Sequence, residues 1–257
     1  MPTVREIEQA LFRLAPKEGA MDWDNVGQLL GDPEAEISRV LVALDITEAV
    51  ADEAIAQGCQ LIVSHHPVMN CKWLPVQSVR QDTPQGHLLL KILKNDLSAI
   101  CMHTNLDAAD GGVNDCLAKK LGLNDVFLLN DEKIGRIGTL SCEKGLEEFL
   151  RDVIELLGCG GLRYCRGSGR VHRVAVGGGA CGEYIPQAIA QGCDTFVTSD
   201  LRYNDFLDTR GLNLIDAGHF PTENVVCPTV KAYLEEHFPE VKTVISTSHR
   251  DVIQYYL

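Results

Sequence analysis

The chain has no apolar run near the ~18 residues a membrane-spanning helix needs, and no basic-then-apolar leader at its N-terminus. From those two absences we expect a cytosolic protein without a membrane association. A basic stripe is lacking as well. Asp and Glu number 36 against 23 Lys and Arg, a net charge of −13, which argues against a partner recognised through a phosphate backbone, and direct DNA binding is not expected. An anionic substrate must then meet a local positive centre, such as a bound cation. No CxxC pair occurs. The ten cysteines (59, 71, 101, 116, 142, 159, 165, 181, 193 and 227) are scattered, mostly inside apolar segments such as Ser98-Ala99-Ile100-Cys101-Met102. That pattern reads as small buried hydrophobes in a reducing compartment, and it excludes a zinc ribbon. Solenoid-period repeats and low-complexity tracts are also missing. What remains is an ordinary globular composition, 45% hydrophobic and 23% charged. Its 257 residues are enough for one large domain or two modest ones.

The most informative stretch is Leu61-Ile62-Val63-Ser64-His65-His66-Pro67. The apolar run follows Gly58, contains two β-branched residues, and reads as a short buried strand. On a regular strand, neighbouring histidines diverge to opposite faces. Where the strand breaks, that rule lapses and both imidazoles can turn to one site, helped by Pro67, which holds His66 extended. Paired imidazoles at a strand end suit a metal. The alternative is two polar residues in a loop.

In order, the spacing predicts a helix over Val4–Leu14 with Thr3 as N-cap and a polar turn around Trp23. A strand over 40–44 ends at Asp45, and a helix follows over 47–57. After the His-His strand come a helix over 86–95, a strand over 97–102 running into His103-Thr104-Asn105-Leu106-Asp107, and a helix over 112–121. A second module starts near Asn130, with strands over 134–140, 171–176, 195–198 and 212–215 and helices over 143–157 and 183–191. A helical stretch interrupted by Pro228 runs to about His237, and a late strand covers 241–245. Such alternation implies α/β architecture with a mixed, largely parallel sheet, whose ligands collect at the carboxyl ends of the strands. Asp45, His65, His66, His103 and Asp107 all fall there. The expected domains are 1–128 plus 218–257, and 129–217.

Three short motifs carry the chemistry: His65-His66, the segment from His103 to Asp107, and His219 with Glu223 four residues on, a spacing that shares one face wherever the chain is helical. Each has a plain reading too: His219 capping a strand, Glu223 as a first-turn carboxylate, Asp107 as a loop residue. Five protein ligands exceed the three of a single catalytic zinc and suit two ions about 3.5–4 Å apart. A further motif, Gly177-Gly178-Gly179-Ala180-Cys181-Gly182, fits GxGxxG between a strand and a helix. The module is too small for a full dinucleotide fold. A glycine turn that either faces an anionic substrate with its amides or packs tightly is the better reading.

Trp23-Asp24-Asn25-Val26-Gly27, Ser64-His65-His66-Pro67, His103-Thr104-Asn105-Leu106-Asp107 with Gly112-Val113-Asn114, the 177–179 turn, Thr198-Ser199-Asp200 and Gly218-His219-Phe220-Pro221-Thr222-Glu223 occur in this order. The chain thereby resembles the NIF-three-like family, whose bacterial members are labelled GTP cyclohydrolase 1 type 2 homologues. The resemblance spans nearly the whole chain. It implies two intertwined α/β modules, a di-metal site and a toroidal homohexamer. Carried over by position, the metal ligands are His65, His66, Asp107, His219 and Glu223, with His103 and Asp200 nearby as proton relays. The length matches a short member without the domain that longer ones insert between the modules. One position departs: Asn204 stands where many members have histidine, so no proton transfer is expected there.

The expectation is therefore a cytoplasmic metal-binding protein holding two divalent ions per chain (zinc, manganese, iron or nickel). It would act as a metal-dependent hydrolase of GTP cyclohydrolase-like type on a small molecule such as a nucleotide. The competing class is a non-catalytic metal carrier or regulatory interaction partner.

Overall fold

The structure, a computed structural model, describes residues 1–69, 76 and 78–256; Cys71 and Leu257 lie outside the described residues. The chain divides into two compact units, Met1–Asp110 with Cys227–Arg250, and Gly111–Val226 with Asp251–Leu257. No helix among the described residues is long and apolar enough to cross a membrane.

In the first unit, strands β1 (Gly27–Leu30), β2 (Arg39–Ala43), β3 (Leu61–Ser64), β4 (Ser98–Cys101) and β11 (Lys242–Ile245) form one sheet in the order β1-β4-β3-β2-β11. All neighbours are parallel except β1, which runs antiparallel along the β4 edge. Every residue of β3 and β4 is buried, which is why their sequences read as unbroken apolar runs: a parallel sheet is covered on both faces. One cover comes from α2 (Glu48–Ala56) and α3 (Pro84–Lys94), whose Val50, Ala51, Ala54, Leu88, Leu89 and Ile92 join Leu41, Ile62 and Ala99 in one core cluster. Helix α1 (Val4–Leu14) starts at a capping box, Thr3 with Glu6, as its sequence predicts. The register sets Ala43 beside Ser64 and Ser64 beside Cys101. The residues that follow, Leu44-Asp45, His65-His66 and Met102-His103, are thus brought to one carboxyl edge.

The second unit repeats that logic. Its strands β5 (Asn124–Leu128), β6 (Arg136–Gly145), β7 (Arg163–Cys165), β8 (Arg170–Val176), β9 (Thr195–Thr198) and β10 (Asn213–Asp216) order as β5-β6-β8-β9-β10-β7. The β8, β9 and β10 strands are parallel, and the outer pairs are antiparallel. Helix α6 (Leu146–Leu157) buries Leu146, Phe149, Leu150 and Val153 in the same cluster as Val174, Val176, Val197 and Ile215. The register again aligns carboxyl ends, Val176 beside Val197 and Thr198 beside Asp216. The 177–179 turn, Ser199-Asp200 and Ala217-Gly218-His219 follow from there.

The α/β architecture with two mixed, largely parallel sheets is as expected, and several details differ. The compact units divide at 110/111 and 226/227, because α5 (Val113–Lys120) packs on β5, β6, β8 and α8 (His219–Glu223). Residues 103–107, read as the run-out of a strand, instead start the short helix α4 (Thr104–Ala108). Pro228 does not interrupt a helix; it sits in the first turn of α9 (Cys227–His237), where its missing N–H costs nothing. Residues 251–256 form no strand.

Candidate metal centre

At the end of β3 the backbone leaves the ladder. The His65 N–H donates to Ala43 and Leu44 carbonyls, the His66 N–H donates to Leu44 at 2.9 Å, and Ser64 Oγ donates to the His66 carbonyl. This bend cancels the strand alternation, and the two imidazole centroids lie 5.0 Å apart. His103, from the end of β4, joins them with centroids 5.2 Å from His65 and 5.5 Å from His66. The three residues offer ring nitrogens that all lie within 4.8 Å of one another.

Each ring is oriented from behind. His65 Nδ1 sits 2.8 Å from the Met102 carbonyl, His66 Nδ1 2.8 Å from Asp45 Oδ1, and His103 Nδ1 2.8 Å from Asp24 Oδ1. An oxygen at that distance accepts the Nδ1–H, which fixes the tautomer and makes Nε2 the lone-pair nitrogen. Asp24 also accepts the Thr104 amide at 3.0 Å and the Thr104 hydroxyl, and so starts α4. Burial opposes the Asp24 charge, yet His103 and Thr104 outweigh it and hold the carboxyl down at about 2. On α4, Asp107 is placed by its amide bond to the His103 carbonyl, and its Oδ1 lies 3.6 Å from His65 Nε2. Two ligands of one tetrahedral ion sit about 3.4 Å apart when their bonds are about 2.0–2.1 Å, so this pair fits a shared ion.

In the second unit, α8 carries His219 and Glu223 on one face, with Nε2 3.0 Å from Oε2. Behind the ring, Asp200 Oδ2 accepts from Nδ1 at 2.6 Å, the same arrangement as at the other three histidines. Burial works against a charged His219, but the carboxylates of Glu223 and Asp200 prevail and push it up to about 11. The pair of carboxylates thus calls for a positive charge at this ring.

The glycine turn serves this helix. Its amides are committed within the unit: Gly177 to Val197, Gly178 to Asn114 Oδ1, Gly179 to Thr222 Oγ1 and Cys181 to Thr198 Oγ1. A side-chain carbon on Gly179 would stand 2.1 Å from Glu223 Oε1 and 3.3 Å from His219 Nε2. The turn is therefore the tight-packing kind: it lets Glu223 and His219 approach the backbone.

Of the seven site residues read from sequence, His65, His66, His103 and Asp107 gather in the first unit, and Asp200, His219 and Glu223 in the second. His103 stands beside His65 and His66, its ring nitrogen within 4.8 Å of theirs. Asn204 is exposed. Asp45 stands at the strand edge where its sequence placed it, whereas Asp24 and the Met102 carbonyl carried little local signal, because their partners lie 79 and 37 residues away. Imidazole with carboxylate suits a divalent transition ion, so the residues present fit such an ion.

A family model described as Duf34/NIF3 (NGG1p interacting factor 3) matches residues 2–252. The chain belongs to the Duf34/NIF3 family. It is 32% identical over 264 aligned positions to a Clostridium acetobutylicum protein named GTP cyclohydrolase 1 type 2 homolog, covering 98% of this chain and 97% of that one. A Streptomyces coelicolor protein of the same name is 35% identical, over 92% of this chain and 87% of its own. A crystal structure of a Bacillus cereus protein related to NIF3 superposes with a TM-score of 0.93 at 25% identity, covering all of both chains. This NIF3 family chain thus shares fold and length with bacterial relatives that carry the cyclohydrolase-homologue name.

Proposed function

We propose that the protein is a metal-dependent hydrolase in which His65, His66, Asp107, His219 and Glu223 hold two divalent ions. The observation that carries this reading is the common treatment of the histidines: each has Nδ1 held by an oxygen, the arrangement that makes Nε2 the nitrogen to coordinate an ion. When bound, such ions supply Lewis acidity and a nucleophilic water at neutral pH. The chain's own residues orient and buffer. Asp45 and Asp200 hold the His66 and His219 rings, and the 177–179 turn holds Glu223. His103, backed by a carboxylate that stays ionised, has the arrangement of a general base whose imidazolium Asp24 stabilises. The relatives' names point to a nucleotide such as GTP as substrate, and the resemblance points to a cytoplasmic homohexamer. The test is GTP turnover by purified, metal-loaded protein, with His103→Gln expected to lower the rate at least about a hundredfold while keeping the metal. Absence of turnover with metal in place overturns the catalytic reading.

The competing reading is a non-catalytic metal carrier or regulatory partner; within the catalytic reading, Asp200 stands apart from His103. The hydrogen bond from His219 to Asp200 holds the carboxyl below its ordinary range, against burial, which makes it a poor proton relay near neutral pH. We therefore give Asp200 a positioning role and leave proton transfer to His103.

A further inference from the structure

The second unit carries an arginine that the metal centre does not use. Arg163, on β7, donates Nη2 to the Leu201 carbonyl at 2.8 Å and to Asp216. Its guanidinium lies over the Phe206 ring, 5.6 Å from the centroid. Those three contacts fix the plane of a long side chain that would otherwise roam. Asp216 also accepts the Leu201 and Gly218 amides, so one carboxylate ties the arginine to the two loops that deliver Asp200 and His219. Even so, the side chain is 59% exposed. Among the described residues, its Nε and Nη1 have no hydrogen-bond partner. A guanidinium held on one side and open on the other presents donors in a fixed geometry to solvent.

A hydroxyl accompanies it. The Tyr255 ring lies flat on the Gly160-Gly161 turn, where side-chain carbons would stand 2.6 and 2.8 Å from ring atoms, so only glycines admit it. Its oxygen is 3.8 Å from the point a side-chain carbon on Gly218 would occupy, one residue from His219. Among the described residues it too has no hydrogen-bond partner. Asp216, which pairs with Arg163, also accepts the Gly218 amide, so the phenol oxygen and the guanidinium meet around the same residues.

We propose that Arg163 and Tyr255 form an oxyanion-binding subsite that takes the phosphate group of a phosphorylated small molecule. Arg163 is already paired with Asp216, so the subsite offers the Nε and Nη1 donors and the phenol as hydrogen-bond partners that need no metal. The proposal deepens the hydrolase reading by naming the substrate class, and it rests on that reading only for the reaction served. Arg163 and Tyr255 are binding residues here, with no part in bond making.

The test titrates inorganic phosphate into the chelator-treated full-length protein, followed by calorimetry, with sodium acetate as a second probe. Removing the metal separates the two readings, since elemental analysis of the untreated protein tests the metal centre by itself. Wild type should bind phosphate at millimolar concentration or better, and more tightly than acetate. Arg163→Gln should bind it about tenfold more weakly, and Tyr255→Phe about threefold, both with the metal content of the untreated protein unchanged. No binding by wild type, equal binding by Arg163→Gln, or equal affinity for acetate overturns the proposal. If Arg163→Gln fails to fold, Tyr255→Phe decides alone: unchanged phosphate affinity overturns it, and a loss supports it.

Discussion

His66 is oriented by Asp45 across 2.8 Å, and that contact gives the most local test of the site. Asp45→Asn keeps the shape and offers the ring an amide in place of a carboxylate. Loss of such an outer partner costs about ten- to a hundredfold in metal affinity. We expect that weakening in a competitive chelator titration, with the melting temperature changed by no more than about 2 °C, because the Asp45 side chain is half exposed. Unchanged affinity would mean that His66 is no ligand. The clustering of His65, His66 and His103 at one strand edge could be read from sequence because they end apolar runs, and Asp45 was placed at that edge for the same reason. Asp24 could not: nothing near it in sequence announces that it will meet His103, 79 residues on.

Among the elements, the glycine turn makes the clearest prediction. Gly179→Ala puts a methyl group 2.1 Å from Glu223 Oε1 at a position whose φ is +67°. It should lower both metal content and melting temperature. Gly145→Ala has nothing within 4 Å and an ordinary φ of −72°, so it should change neither. Equal behaviour of the two variants would refute the role assigned to the turn.

Another element is fastened by Glu53 on α2. It accepts the Ser246 hydroxyl, the Thr247 amide and hydroxyl, and the Ser248 amide, tying the segment after β11 to the helix. Burial opposes its charge, but those donors outweigh it and hold the carboxyl near 2, below its ordinary 4.5. Because the folded value is depressed, the stabilisation is present above pH 4.5 and is lost as pH falls toward 2. In urea unfolding, Glu53→Gln should be about 1–2 kcal/mol less stable at pH 7, and the gap should close over that window. A gap independent of pH would contradict this.

The buried parallel strands were legible as elements because covered strands leave continuous apolar runs. Strands β1, β5 and β7 were not. The first is half buried at an edge, the second is exposed along its whole length, and the third has three residues. None of them alternates cleanly or forms a run. Helix α4 was missed for another reason: its start is set by Asp24, a contact between distant residues.

For the whole molecule, the family resemblance implies six copies, and the described surface leaves apolar groups to bury. Val252 is 82% and Ile253 61% exposed, and Val126, Phe127 and Leu128 are all exposed on edge strand β5. Light scattering at micromolar concentration should give about six times the 28.2 kDa chain mass. A monomer would contradict the assembly while leaving the metal site standing.

The central claim is that these histidines and carboxylates exist to hold divalent ions, and elemental analysis of protein purified without chelator tests it most directly. The account predicts about two transition-metal ions per chain, falling by at least one in Glu223→Ala and in His66→Ala with the fold intact. Gently purified protein that carries no transition metal, and takes up none on dialysis against zinc or manganese, would contradict it.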